Sequence, residues 1–319
     1  MENLFTDPFN ILLIAAFIGF FMAFGIGAND VANSMGTSVG ARALTIKQAI
    51  LIAAVFEFLG AFLAGGEVTS TIRKGIVDPN LYTDQVNIFV IGMMSALLAG
   101  GTWLYIASLR GWPVSTTHSI VGAIIGFVLI TKGVDAVSWG KVSNIAMSWV
   151  TSPLFSGILA FSLYISAKKL ILDRANPGKA AITFIPFYSF LVAVVISLVT
   201  ARKGLKHVGI EWTENEVYLF TFIFSIVVAI GTSYFLRRNK EKINGVGGIE
   251  FAFGLLMIVS ASAMAFAHGS NDVANAIGPL AAIVSVVDTG TVGSKATCLL
   301  YTSDAADERS SVDLGGRRI

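Results

Sequence analysis

The chain has 319 residues, of which 55% are hydrophobic and only 13% charged, with a mean hydropathy of +0.75. Soluble domains carry about 25% charged residues, so this is not one. A formal net charge of +2 gives no reason to look for nucleic acid, and one cysteine, Cys298, excludes a disulfide framework and a thiolate metal site.

Apolar runs fall at 9–27, 47–66, 86–108, 112–131, 142–164, 183–201, 217–236 and 249–267, and a shorter one follows at 276–287. Most approach the roughly 20 residues with which a helix crosses a bilayer. They are too long for strands and do not alternate. A helix also satisfies its own backbone groups within lipid. The expectation is an all-α integral membrane protein. Lys168, Lys169, Arg174 and Lys179 crowd the segment 166–181, and Arg237, Arg238, Lys240 and Lys242 crowd 237–248. Between them, Arg202, Lys203 and Lys206 are balanced by Glu211, Glu214 and Glu216. Basic loops favour the cytoplasm, which places 166–181 and 237–248 inside and, by parity, the N-terminus outside.

Two of these runs end in the same polar word. Met22-Ala23-Phe24, Gly27, Asn29-Asp30-Val31-Ala32-Asn33 and Gly36 recur as Met264-Ala265-Phe266, Gly269, Asn271-Asp272-Val273-Ala274-Asn275 and Gly278, each 242 positions later. The first copy ends a span running inward and the second a span running outward, so the copies are inverted. Paired polar interruptions in inverted repeats point to the central site of a secondary transporter. Asn29 and Asn33 share a helix face with Asp30 beside them. Gly25, Gly27 and Gly36 weaken the helix and allow local unwinding, which would add backbone carbonyls to one carboxylate and two amides. That donor set suits a hard monovalent cation. A helix end with Asn-Asp capping the next helix explains one copy, but not two inverted ones.

Between the words lies Gly111-Trp112-Pro113-Val114-Ser115-Thr116-Thr117-His118-Ser119. Pro113 suits a first helical turn, and the hydroxyls of Ser115, Thr116 and Thr117 at a helix N-terminus make a neutral cradle for an oxyanion. An ordinary Ser/Thr N-cap is the competing reading. Apart from Lys47, at the first position of its run, no Lys or Arg lies within the spans, so an anion here would be neutralised by co-bound cations or protons, as in symport. Glu57, mid-span between Phe56 and Phe58, is a functional candidate by its place in the membrane. His118 could carry a proton or simply hold the cradle. Glu67 reads as interfacial, His207 as a loop residue, and His268 stands outside the shared word. Trp103, Trp112, Trp139 and Trp149 sit where interface anchors belong, and Gly100-Gly101 permits close helix packing.

At Gly27–Asn33, Gly269–Asn275 and Pro113–His118 the chain resembles the PiT family of inorganic phosphate transporters, over essentially 1–297. The resemblance implies an inverted-repeat transporter with broken or re-entrant helices that moves phosphate with Na+ or H+ and needs no cofactor. By position it implies phosphate ligands Ser115, Thr116, Thr117, Asn29 and Asn271, and cation ligands Asp30, Asn33, Asp272 and Asn275. Glu57 and His118 stand as coupling candidates, and no metal site is assigned. The expected division is 1–236 as a first half of about seven spans with a hairpin at 112–131, 237–248 as a cytoplasmic linker, and 249–297 as the start of an incomplete second half. Residues 298–319 lose all hydrophobicity and resemble a translated sequencing adapter; they are expected to be a non-native tail. The expected place is the inner (plasma) membrane, multi-pass, with a homodimer kept open. Sulfate or a metal–phosphate complex is the nearest alternative cargo, and a membrane hydrolase using Ser115 and His118 the distant one.

Overall fold

The computed structural model describes residues 7–64, 78–204, 212–244 and 247–292; Glu67, His207 and the tail 298–319 lie outside them. The described residues form helices and turns with no strand. In chain order they are α1 (Pro8–Gly40), α2 (Ile46–Ala64), a 3-10 turn (Pro79–Tyr82), α3 (Val86–Leu109), α4 (Thr116–Lys132), α5 (Trp139–Ala167), α6 (Pro177–Val199), α7 (Glu214–Arg238), α8 (Lys240–Asn244) and α9 (Gly248–Thr289). Single turns of π-helix extend α5 through Lys168–Leu172 and α6 through Thr200–Gly204.

Among the described residues, seven helices are long and apolar enough to cross a membrane, whereas α4, at 17 residues, falls short of that length. On α5, Phe155 (70%) and Phe161 (66%) stand exposed, which water would not tolerate in such number and lipid does. The protein is a multi-pass membrane protein.

Local chemistry sets the helix boundaries. Thr213 and Glu216 form a reciprocal capping box at the start of α7, and Arg237 and Arg238 close its last turn against the helix dipole. Asn176 accepts from the backbone N–H of Lys179 and Pro177 takes the first turn of α6. Glycine did not break the helices at the repeated words as the sequence led us to expect. Both α1 and α9 run through them as continuous helix. Each glycine weakens a helix by only about 1 kcal/mol, less than opening backbone hydrogen bonds in an apolar setting. The run 276–287 is consequently the end of α9 rather than a separate element.

The chain divides into two compact units. Among the described residues, the first joins 7–33, 57–64, 78–141 and 267–292, and the second joins 34–56, 142–204, 212–244 and 247–266. In the first, α3 lies against α1: a Cβ on Gly101 would meet Phe21 Cδ1 at 2.8 Å and Met22 Cα at 3.2 Å. This is the close packing expected of Gly100-Gly101. The α3–α4 hairpin is closed by Tyr82, whose fully buried ring stacks on Phe127 at 5.2 Å and whose hydroxyl hydrogen-bonds Thr131 at 2.6 Å. Lys132 covers that ring at 4.9 Å and donates to Gln85 at 2.8 Å. In the second unit α6 packs on α7 around Ile171, Ile185, Leu236, Ile243 and Ala252, and Tyr188 bonds Ser166 at 2.7 Å.

Candidate functional site

The first unit gathers both copies of the repeated word and the Ser-Thr-Thr segment. A Cβ on Gly19 would touch Leu280, and Asp30 lies within electrostatic range of Asp272. Residue numbers rise along α1 as they fall along α9, so the two words run in opposite directions here.

Three carboxylates share this region. Asp30 is in electrostatic range of Asp272 and Glu57, and Glu57 is in range of Asp272. Asp30 is 6% exposed, and Asn33, itself exposed, hydrogen-bonds it. Glu57 Oε1 is buried and has no hydrogen-bond partner. The ion pairs among the described residues, Lys168–Asp173 and Arg202–Glu214, lie elsewhere. Like charges that feel one another in a partly buried setting favour positive charge beside them. Among the described residues no three His, Cys, Asp or Glu side chains are close enough to hold a single metal ion.

The N-terminus of α4 meets these acids. Ser115 is its N-cap, its Oγ accepting from the backbone N–H of His118 at 3.2 Å, so the ordinary capping reading holds for this residue. Thr116 and Thr117 do more. Their hydroxyls donate to Asp272 Oδ1 at 2.9 Å and 3.4 Å. Asn275, 0% exposed, places Nδ2 at 3.2 Å from both threonine hydroxyls and from Asp272 Oδ1. Thr116 and Thr117, with Asp272 and Asn275 about 155 positions away, thus form one hydrogen-bonded cluster.

The two copies of Asn do different things. Asn29, 6% exposed, donates to the carbonyl of Trp112 at 3.1 Å and accepts from the N–H of Val114 at 3.4 Å. Its amide straddles Pro113, which has no N–H, and fixes the turn that aims α4. Asn271 is exposed and donates to the carbonyl of Ala267 in its own helix at 3.0 Å. His118 is exposed at the same helix start.

Two features had no sequence signal. A Cβ on Gly269 would fall 2.0 Å from the carbonyl oxygen of Glu57, so α2 and α9 cross there backbone to backbone. His268, beside that crossing, buries an Nδ1 without a hydrogen-bond partner. The symmetric glycine, Gly27, has nothing within 4 Å, so the shared word alone could not predict the contact.

Comparison with known proteins shows the family. Residues 26–303 match the family model described as the Phosphate transporter family. A Haemophilus influenzae protein carrying a phosphate permease name is 50% identical over 284 residues, covering 87% of this chain and 67% of that protein. The inorganic phosphate transporter 2-1, chloroplastic, of Arabidopsis thaliana is 38% identical, covering 88% of this chain and 52% of its own length. A solved structure titled the sodium-dependent phosphate transporter superposes with a TM-score of 0.82 at 41% identity, over 90% of this chain and 70% of that one.

Proposed function

Because the chain belongs to the phosphate transporter family, and is thereby a transporter rather than an enzyme, we propose that it carries inorganic phosphate across the membrane together with a cation, sodium or proton. The observation that carries this reading is the convergence of Asp30, Glu57 and Asp272 on a helix start whose hydroxyls suit an oxyanion. The acids supply the demand for cations, and the threonine hydroxyls with the α4 dipole supply the donors for phosphate. Neither ligand is well placed without the other: an anion beside three carboxylates is repelled, and cations beside an empty cradle lack half their counter-charge. The solved sodium-dependent relative favours sodium as the first ion to try.

In this reading Thr116 and Thr117 bind phosphate, Ser115 caps and presents them, and Asp30, Asn33, Asp272 and Asn275 receive the cation. The opposed directions of α1 and α9 at the two words support inverted halves and alternating access. The pairing of α3 with α4 across a short turn is consistent with an N-terminus outside in the inner (plasma) membrane, as the basic loops suggest. The test is uptake of labelled phosphate by proteoliposomes. Uptake should need an imposed sodium or proton gradient, should be displaced by unlabelled phosphate rather than sulfate, and should collapse in Asp30→Asn. Undiminished uptake by Asp30→Asn would remove that residue from the ion site, and preferential displacement by sulfate would change the cargo.

A further inference from the structure

We infer that Asp272 is a positioning residue that stands in for phosphate: its carboxylate holds the hydroxyls of Thr116 and Thr117, and an alkali cation on Asp272 releases them to the anion. The inference rests on the phosphate reading above and concerns how the ligands of that one site depend on each other.

A proton inventory carries it. Each threonine hydroxyl has one proton to donate, and both are aimed at Asp272 Oδ1, at 2.9 Å and 3.4 Å. The Asn275 amide has two, and its Nδ2 is 3.2 Å from Asp272 Oδ1 and 3.2 Å from each threonine oxygen. The threonine donors that an arriving phosphate would use at this helix start are both turned to an anion the protein already owns. Carboxylate and phosphate are therefore competitors for one set of donors and one helix dipole, and while Asp272 wins, its charge also repels the substrate.

An independent observation points to what breaks the tie. Asn275 is 0% exposed, yet its Oδ1 has no hydrogen-bond partner. It lies one helical turn after Asp272, whose Oδ1 its Nδ2 meets at 3.2 Å, so a buried amide oxygen with no donor of its own stands on the residue that touches the carboxylate. Oxygen ligands of this kind suit a hard cation. A cation seated between them draws on the same lone pairs that now accept from Thr116 and Thr117, and screens the carboxylate charge. A hydroxyl proton swings about its C–O bond without moving a heavy atom, so the donors can pass from Asp272 to phosphate within a fixed backbone. Cation binding then raises phosphate affinity, and phosphate binding raises cation affinity by the same factor.

The test is equilibrium binding of radiolabelled phosphate to the purified full chain, in sodium and in choline at one pH, for the wild type, Asp272→Ala, Asp272→Asn and the double variant Thr116→Val/Thr117→Val. The wild type should bind phosphate at least about tenfold more tightly in sodium, a typical allosteric coupling. Asp272→Ala removes the competitor, so its affinity in choline should rise at least tenfold above that of the wild type and lose most of its sodium response. Asp272→Asn keeps the side-chain shape and should shift the same way, which covers the case in which the alanine variant fails to fold. A merely structural role would lower the yield of folded protein but leave the ratio between the two salts unchanged. The double valine variant should bind weakly in both salts, since the donors themselves are gone. The inference is overturned if a folded Asp272→Asn or Asp272→Ala still needs sodium as the wild type does, or binds no phosphate in either salt, which would make Asp272 a plain ligand. A wild type that binds phosphate equally in both salts also overturns it while leaving the phosphate reading intact. A wild type that binds no phosphate in either salt fails the phosphate reading first and this inference with it.

Discussion

Replacing Gly269 with alanine adds one methyl group, and the structure says where it goes. Its Cβ would lie 2.0 Å from the Glu57 carbonyl oxygen and 2.7 Å from that residue's C and Cα, whereas ordinary contact begins at 3.4 Å. Since all three atoms are backbone, no rotamer change relieves the clash, and α2 and α9 must part by about 1.4 Å at the crossing. Overpacking of this kind costs about 1–3 kcal/mol, and a rigid neighbour places it at the upper end. The intrinsic helical gain of alanine over glycine returns about 1 kcal/mol. The net loss of about 2 kcal/mol corresponds to a fall in melting temperature of roughly 3 °C for a chain of this size. Gly27 is the control, because it occupies the equivalent place in the other word and has nothing within 4 Å of its absent Cβ. Gly27→Ala should be neutral or gain about 1 kcal/mol. Thermal unfolding of both variants in detergent, followed by tryptophan fluorescence, measures the difference directly. Parting the helices also moves the Glu57 carboxylate away from Asp272, so phosphate uptake should fall in Gly269→Ala and persist in Gly27→Ala. Equal melting temperatures for the two variants would refute the backbone crossing and the convergence of acids built on it.

Asn29→Ala removes both hydrogen bonds that clamp the Trp112–Val114 turn, so deuterium exchange at the Val114 amide should speed up and the KM for phosphate should rise several-fold, at a cost of about 1–2 kcal/mol. If Asn29 acts through that turn, combining Asn29→Ala with Pro113→Gly should harm uptake little more than either change alone; additive effects would argue for direct contact with substrate. Tyr82→Phe loses the hydrogen bond to Thr131 and should lower stability by about 1 kcal/mol without changing how uptake depends on cation. Thr213→Ala breaks the α7 capping box and should cost about 1 kcal/mol in melting experiments, again with KM unchanged.

Much of the architecture was legible in the sequence because the membrane writes it in composition. Runs of apolar residues long enough to span must be helices, and α3 and α4 correspond to the runs 86–108 and 112–131, the second being one helix rather than a hairpin in itself. The doubled word, and the inversion derived from loop charge, located the acidic region before any coordinates. What could not be read is which partner each residue meets. Ser115, Thr116 and Thr117 look equivalent in the chain, yet one hydroxyl caps its own helix while the other two reach an acid more than 150 residues on. No local pattern distinguishes them, since the difference lies in which way each side chain leaves the first turn of α4.

The same limit applies to the repeat itself. Asn29 and Asn271 are the same letter at the same place in the word, but one is buried against a turn 83 positions away and the other bonds its own helix at the surface. Gly27 and Gly269 differ in the same way, one in open space and one pressed on Glu57. A repeated word specifies a repeated chemistry: a carboxylate, two amides and small residues that let something approach. What approaches is decided by the neighbouring helix, and a repeat does not place the same neighbour beside both copies. At the second word the neighbour is a helix start rich in hydroxyls, which puts Asp272 rather than Asp30 in competition with the anion. That asymmetry gives the two otherwise matching acids separate tasks. Asp30 accepts a hydrogen bond from Asn33 in its own helix and sits in the field of Asp272 and Glu57. Asp272 shares its donors with the cradle and so answers to both ligands, making it the residue through which a cation can report its presence to phosphate.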